Sequence, residues 1–205
     1  MARLFSRLLV CAFALFLVVP RHAQAALTFP PLTGRVVDDA NVLSADTKDH
    51  LTALLAQEEK QTGNQVVVAT LPSLQDDTIE DYGYQLGRHW GIGQKGKNTG
   101  ALLIVVPSLH KVRIEVGYGL EGELTDAQSK IIIDQFMLPA FRRNDYDGGI
   151  TAGTQAILKV MGGVTLTAQD DTQQDRDGDS GGTPWIVIVV FLIWIVFGRF
   201  LWPLL

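Results

Sequence analysis

Carboxylate and amide side chains stand at the ends of predicted strands in this sequence, where they could hold a metal ion. Asp38 comes just before the first predicted helix, and Asn98 comes just before a buried strand. Glu121 and Asp126 follow a third strand, beside glycines whose backbone freedom allows carboxylates to converge. Oxygen ligands of this kind suit a hard divalent cation, calcium foremost, with magnesium or manganese as alternatives. These four residues are candidate metal ligands, together with the neighbouring acids Asp39 and Glu123. The alternative is that they serve in turns, at helix starts and as solvated side chains.

Two glycine-rich segments resemble nucleotide-binding loops without meeting their requirements. In "GYGLEG" at 117–122, the helix that follows begins only at Thr125, after the glycines. A dinucleotide-binding loop opens its helix within the glycines and holds a pyrophosphate, where this chain has Glu121 and Glu123. "GIGQKGKN" at 91–98 ends in Asn98 rather than Ser or Thr, and it follows a helix rather than a strand. Neither segment is predicted to bind a nucleotide.

The two ends of the 205-residue chain predict export and membrane attachment. Residues 1–25 combine arginines, an apolar run and a terminal "AQA", which is the pattern of a cleaved signal peptide. Residues 184–205 are apolar and tryptophan-rich, and as a helix they would reach about 33 Å, enough to span a bilayer. Residues 164–183 are polar and acidic and predict a flexible linker to that helix. The predicted location is the inner membrane, single-pass, with the soluble domain facing the periplasm.

The composition between the two ends excludes several classes of function. Residues 26–183 contain 13 Lys and Arg against 22 Asp and Glu, a formal net charge of −9. So acidic a domain argues against nucleic-acid binding and is compatible with cations. The only cysteine is Cys11, inside the predicted signal peptide, so the exported domain is expected to have no disulfide and no cysteine metal site.

Hydrophobic periodicity and capping residues predict a small α/β domain over residues 26–163. Helices are predicted to start at Ser44, at Thr78, at Thr125 and at about Asp147. Strands are predicted at 65–70, 101–106 and 111–116, and "GRVVDDA" allows a further short one. Only "PSLH" separates the last two strands, which requires an antiparallel hairpin. The expected fold is a three-layer helix–sheet–helix sandwich with a small mixed sheet.

Four segments of the chain together resemble the TPM-domain family: "GRVVDDANVLS", "WGIGQKGKNTGALLIV", "RIEVGYGLEGELTD" and "LPAFRRNDYDGGI". The resemblance covers about residues 34–162 and implies the same helix–sheet–helix sandwich. Members are associated with divalent cation binding, weak acid phosphatase activity and maintenance of membrane-protein complexes. The resemblance also matches Asp38, Asn98, Glu121 and Asp126 to polar positions of the family motifs, whereas Thr99 replaces an asparagine that the family usually shows.

Two functions are compatible with these observations. The first is a membrane-tethered periplasmic domain that binds a divalent cation and acts as an accessory or maintenance factor for a membrane-protein complex, with a partner that the sequence does not identify. The alternative is a metal-dependent phosphatase acting on phosphate monoesters, in which a cation held by Asp38, Glu121 and Asp126 polarises a phosphoryl oxygen. No nucleophile stands out for this second function, so the sequence leaves open whether the chain is an enzyme.

Overall fold

The computed structural model describes residues 27–168, which form a four-stranded sheet with helices on both faces. The predicted signal peptide, the predicted membrane helix and most of the predicted linker lie outside the described residues. Within residues 27–168, no helix is both long and apolar enough to cross a membrane. The α/β class and the small mixed sheet are confirmed.

The elements follow the predicted order, with a short strand where "GRVVDDA" allowed one. The strands are β1 (Val36–Asp38), β2 (Gln65–Thr70), β3 (Gly100–Val106) and β4 (Lys111–Val116). The helices are α1 (Ala45–Thr62), α2 (Ile79–Trp90), α3 and α4 (Tyr146–Met161). Helix α3 has three consecutive parts, which are Asp126–Ile131, the π-helical segment Ile132–Met137 and Leu138–Phe141.

Strand direction determines which loops meet at each end of the sheet. The strand order is β1-β2-β3-β4, with the first three strands parallel and β4 antiparallel to β3, as the short hairpin link predicts. We call the end where β1, β2 and β3 finish the carboxyl end of the sheet, and the opposite end the amino end. Because β4 runs backwards, its last residue lies at the amino end, next to the start of β3.

Two hydrophobic cores lie on opposite faces of the sheet. Helices α1, α3 and α4 cover one face, and α2 covers the other together with residues 27–30. Strand β3 is buried along all seven residues because helices cover both of its faces, as its uninterrupted apolar run predicts. The structure thus has the predicted three layers, and it places the polar loops at the two ends of the sheet.

Local sequence signals set the helix starts. The side chains of Ser44, Thr78 and Thr125 each accept a hydrogen bond from the N–H three residues further on. Asp145 caps α4 in the same way. The predicted starts are confirmed to within a residue or two, since each of these contacts depends only on neighbours in sequence.

The π-helical segment of α3 is a feature that periodicity does not predict. It ends just before Pro139, which lacks the N–H that an α-helix would pair with the carbonyl four residues earlier, and whose ring crowds that carbonyl. The N–H of Leu138 instead bonds the carbonyl of Ile133, five residues back. A single wide turn thus accommodates proline inside a continuous helix.

A polar contact joins the starts of two helices on the same face. The Asp147 Oδ1 in the first turn of α4 accepts a 2.9 Å hydrogen bond from the N–H of Ser44, the residue that caps α1. Burial acts to raise the pKa of Asp147, but hydrogen bonds from Ser44 and Thr47 outweigh burial and hold that pKa below its ordinary value. The carboxylate is therefore favoured in its charged form between two helix N-termini.

Candidate functional site

An open groove of about 920 Å³ lies at the amino end of the sheet. Its walls are α2, the loop 91–98, the end of β4 and residues that follow β4. Seven of its nineteen lining residues are glycines, which keep the groove wide because they place no side chain in it: Gly83, Gly87, Gly91, Gly93, Gly96, Gly100 and Gly117. We call this surface the glycine groove.

The glycines of both nucleotide-like segments let two loops pack backbone against backbone. The Gly117 N–H donates to the Gly100 carbonyl at 2.7 Å, and the Gly119 N–H donates to the Asn98 carbonyl at 3.1 Å. A Cβ on Gly117 or Gly119 would overlap the carbonyl of Asn98 or of Lys97. A Cβ on Gly100 would lie 2.6 Å from the Ile92 carbonyl oxygen. These glycines therefore have a structural reason for their positions, which is the close approach of the two loops.

Two tyrosines extend from the walls of the glycine groove into solvent. The Tyr118 residue is 80% exposed and Tyr84 is 57% exposed. The guanidinium of Arg88 lies 5.4 Å from the centre of the Tyr84 ring, and its Nη1 donates a 2.6 Å hydrogen bond to the Tyr84 hydroxyl. Because Tyr84 and Arg88 are four residues apart on α2, they form one fixed pair on the groove side of that helix.

The charged residues of the glycine groove have both signs. Arg88 and Lys95 supply positive charge, and Glu115 and Glu121 supply negative charge. Glu115 is paired with Arg113 on the same strand, whereas Glu121 is exposed and makes no ion pair with another described residue. Among the described residues, the groove lining therefore includes one carboxylate without an ion pair and two cations.

The structure brings three of the four predicted metal ligands to the amino end of the sheet. Asn98 and Glu121 line the glycine groove. Glu121 also borders a second depression of about 560 Å³, which it shares with Asp126, the first residue of α3. Glu121 thus has a predicted ligand on each side, but neither depression contains all three residues.

Asp38 lies at the opposite, carboxyl end of the sheet, so the structure does not bring it together with the other three residues. Its side chain is only 3% exposed. The carboxylate accepts hydrogen bonds from the Thr70 hydroxyl at 2.6 Å and from the backbone N–H groups of Val42 and Leu43 at 3.1 and 3.2 Å. Lys48 Nζ lies 3.7 Å away. The reason is strand direction: Asp38 ends β1, whereas Asn98 precedes β3, which runs parallel to β1.

The donor set therefore does not fit the predicted four-ligand cation site. Residues 27–168 contain no group of three or more His, Cys, Asp or Glu side chains placed to hold a metal ion. Asn98 and Glu121 share one depression, and Glu121 and Asp126 share the other. Cation binding stays a prediction from the sequence, and any such site would be built around Glu121.

Sequence reasoning did not select Tyr84, Arg88 or Tyr118 as functional residues. The sequence does contain a signal for two of them. Tyr84 and Arg88 are four residues apart on one helix, so their side chains are neighbours, and each directly follows a glycine, Gly83 or Gly87. Tyr118 stands between two glycines in a loop, where no periodicity could assign it to the core. The exposure of both tyrosines became apparent only in the folded structure.

Comparison with known proteins assigns the family. A family model described as the TPM domain matches residues 36–160, more than half of the chain. The chain belongs to the TPM domain family. A comparison of this TPM domain protein with curated proteins gives no match.

Solved structures share the fold of this TPM domain. The solution NMR structure of the N-terminal domain of a protein from P. gingivalis is 37% identical with a TM-score of 0.59, and the match covers 64% of this chain and 83% of that one. The N-terminal domain of the cg2496 protein from Corynebacterium glutamicum is 15% identical, with a TM-score of 0.51 and coverage of 69% and 90%. The BA42 protein from Bizionia argentinensis is 13% identical, with a TM-score of 0.53 and coverage of 63% and 87%. The last two show similarity of fold alone.

The role of Asp38 can be tested by its effect on stability. We expect Asp38→Ala to lower the free energy of unfolding by about 2–3 kcal/mol, because two partly buried N–H groups and the buried Thr70 hydroxyl lose their acceptor. Asp39→Ala, at the exposed neighbouring position, is the matched control and should change stability by less than about 0.5 kcal/mol. Urea unfolding followed by circular dichroism measures both. Equal stability of the two variants would contradict the structural role.

The close packing of the two glycine loops makes a second prediction. Gly119→Ala should destabilise the domain by about 1–3 kcal/mol, because its Cβ meets the Lys97 carbonyl and the loops must separate. Gly122→Ala, three residues on, has no neighbouring atom within 4 Å of the added Cβ and should be neutral. Thermal unfolding of the two variants provides the comparison, and equal melting temperatures would show that the loops can part without cost.

Proposed function

We propose that this chain is an exported, membrane-tethered accessory protein whose TPM domain holds part of a membrane-protein complex in the glycine groove. The sequence supports attachment through its signal-like start and its apolar end. The observation that carries the binding role is the pair of exposed tyrosines, Tyr84 and Tyr118, on the walls of a groove that glycines leave open.

Tyrosine is well suited to binding in such a groove. Its rigid ring supplies apolar contact area at a low cost in side-chain entropy, and its hydroxyl can form a hydrogen bond at the edge of a contact. Residues of this kind carry much of the binding energy in protein interfaces, especially where arginine stands beside them, as Arg88 does here. The glycine walls let a bound segment approach the domain backbone closely.

One observation favours the alternative, a phosphatase of phosphate monoesters. Arg88 and Lys95 line the same groove as Glu121, so a phosphate and a carboxylate base would have places near each other. Against it, the described lining of the groove contains no Ser, Thr, Cys, His or Asp. A water molecule would then have to be the nucleophile, and residues 27–168 contain no group of three or more His, Cys, Asp or Glu side chains placed to hold the cation that would activate it. We therefore place binding before hydrolysis.

Site-specific photocrosslinking in cells tests the binding role. A photoreactive phenylalanine analogue at position 118 of the full chain should give an adduct with a membrane protein. The same analogue in place of Leu109, which is 47% exposed in the β3–β4 link far from the groove, should not. Gly87→Leu should abolish the adduct by filling the groove. The added Cβ would meet only the Leu102 side chain, at 3.9 Å, and leucine is a better helix former than glycine, so the domain should still fold. An adduct that survives Gly87→Leu would reject the groove as the contact surface.

A phosphatase assay separates the two functions. With p-nitrophenyl phosphate and calcium, magnesium or manganese added in turn, we expect the purified chain to show no turnover that depends on Glu121, because binding needs no catalytic base. Glu121→Gln and Glu123→Gln form the matched pair, since Glu123 is exposed nearby but does not line the groove. A loss of about tenfold or more in the first variant alone would establish hydrolysis at this groove.

A further inference from the structure

Strand β4 has a free edge. Within residues 27–168 it pairs with β3 and with no other strand. Residues of an antiparallel pair of strands alternate between facing the partner strand with their N–H and C=O groups and pointing these groups away from it. Gly117 faces Gly100 with its N–H. The preceding residue, Val116, and every second residue before it, Ile114 and Val112, therefore point their N–H and C=O groups away from β3. Such a row of outward backbone groups is a template on which another strand can pair.

A cleft runs along this free edge, between β4 and α3. It has a volume of about 320 Å³ and is lined by Val112 and Ile114 of β4 and by Asp126, Ser129 and Ile133 of α3, among others. The depression of about 560 Å³ beside Val116 lies next along the same strand. We call the two together the β4 cleft. Helix α3 thus flanks the free edge but leaves space beside it.

Ser129 is a buried hydroxyl without a partner in this cleft. The residue is only 7% exposed, and its Oγ makes no hydrogen bond to any described residue. A buried polar atom that stays unpaired is costly, and most such atoms in proteins have a partner. A ligand in the β4 cleft would supply one, so Ser129 is an indication of binding that is independent of the strand edge.

The charge of the β4 cleft selects among possible occupants. Its two cations are already neutralised, Lys130 by Asp134 at 2.7 Å and Arg113 by Glu80 at 3.6 Å. Asp126 and Glu121 have no ion pair with another described residue, so the cleft has unbalanced negative charge. A second copy of the chain would bring the same acidic edge, and the chain's own segment 169–183 is also acidic. Both are repelled, whereas a basic segment is attracted.

We propose that an extended segment bearing Lys or Arg, from a partner protein, binds in the β4 cleft as a fifth strand of the sheet. Its backbone pairs with the outward groups of Val112, Ile114 and Val116. Its side chains on the α3 side lie against Asp126 and Ser129. Six residues of β4 extend about 20 Å, which accommodates a segment of five or six residues. This surface is distinct from the glycine groove, and the proposal does not depend on the groove's function.

Titration of the full chain in detergent micelles with a capped Lys-Val-Lys-Val-Lys-Val peptide tests the proposal by NMR. We expect the largest amide shifts, and slowed hydrogen exchange, at Val112, Ile114 and Val116. The peptide with an N-methyl group on every residue has no N–H donor on either edge and cannot pair as a strand. It should bind at least about tenfold more weakly, as should a Glu-Val peptide of the same pattern.

Two charge-reversal variants provide the matched control. Asp126→Lys should weaken the Lys-Val peptide about tenfold, whereas Asp46→Lys, in the first turn of α1 on another surface, should not. Equal binding of the N-methylated peptide, or shifts confined to the glycine groove, would overturn the proposal. So would self-association of the chain through β4 that the peptide does not displace. The crosslink at position 118 is unaffected in each case, so failure here is separate from failure of the groove.

Discussion

The hydrogen bond from the Gly117 N–H to the Gly100 carbonyl joins the residue after β4 to the first residue of β3. It closes the open end of the hairpin, and it requires glycine at Gly117 because a Cβ there would overlap the neighbouring loop. The position of Tyr118, the turn that leads to Glu121 and the start of α3 all depend on this contact. It also identifies the three residues of β4, Val112, Ile114 and Val116, whose backbone N–H and C=O groups point away from β3. The glycine groove and the β4 cleft are thus two consequences of how one hairpin is closed.

At the carboxyl end of the sheet, a side chain rather than the backbone holds the loop in place. There a buried carboxylate, Asp38, satisfies the backbone of the β1–α1 loop and the hydroxyl of Thr70. Both oxygens of this carboxylate thus have donors from the protein itself. At the amino end the loops bond to each other through their backbones, and the side chains of Tyr118 and Glu121 are exposed. The amino end therefore has exposed polar side chains that a ligand could contact, whereas the carboxylate of Asp38 is bonded within the protein.

Strand β4 has a part in both candidate surfaces. Its last residues form one wall of the glycine groove, and its outer edge forms one wall of the β4 cleft. Glu121, just beyond the strand, borders the groove and the wider part of the cleft. Arg113 and Glu115 form an ion pair with each other on the α2 side of the strand. A TPM domain of this shape can therefore present two contact surfaces side by side.

Much of this protein was determined by its sequence alone, because the interactions concerned are local. Ser44, Thr78 and Thr125 cap helices through N–H groups three residues away, and the link "PSLH" is too short for anything but a hairpin. The family was also predictable, because its motifs lie in short segments such as "GYGLEGELTD". The six-residue π-helical segment before Pro139 was not predicted, because it departs from the regular period of an α-helix.

Only the tertiary structure decided which polar residues meet. Asp38 and Asn98 both stand at strand ends, but one follows a strand and the other precedes a parallel one, so they lie at opposite ends of the sheet. The number of residues between Asp38 and Asn98 does not reveal how far apart they lie in the folded domain. The glycine groove was equally inaccessible from sequence, because its shape comes from side chains that are missing at seven positions on separate elements. The free acceptor capacity of Glu121 and the occupied state of Asp38 are properties of neighbours in space, which folding alone supplies.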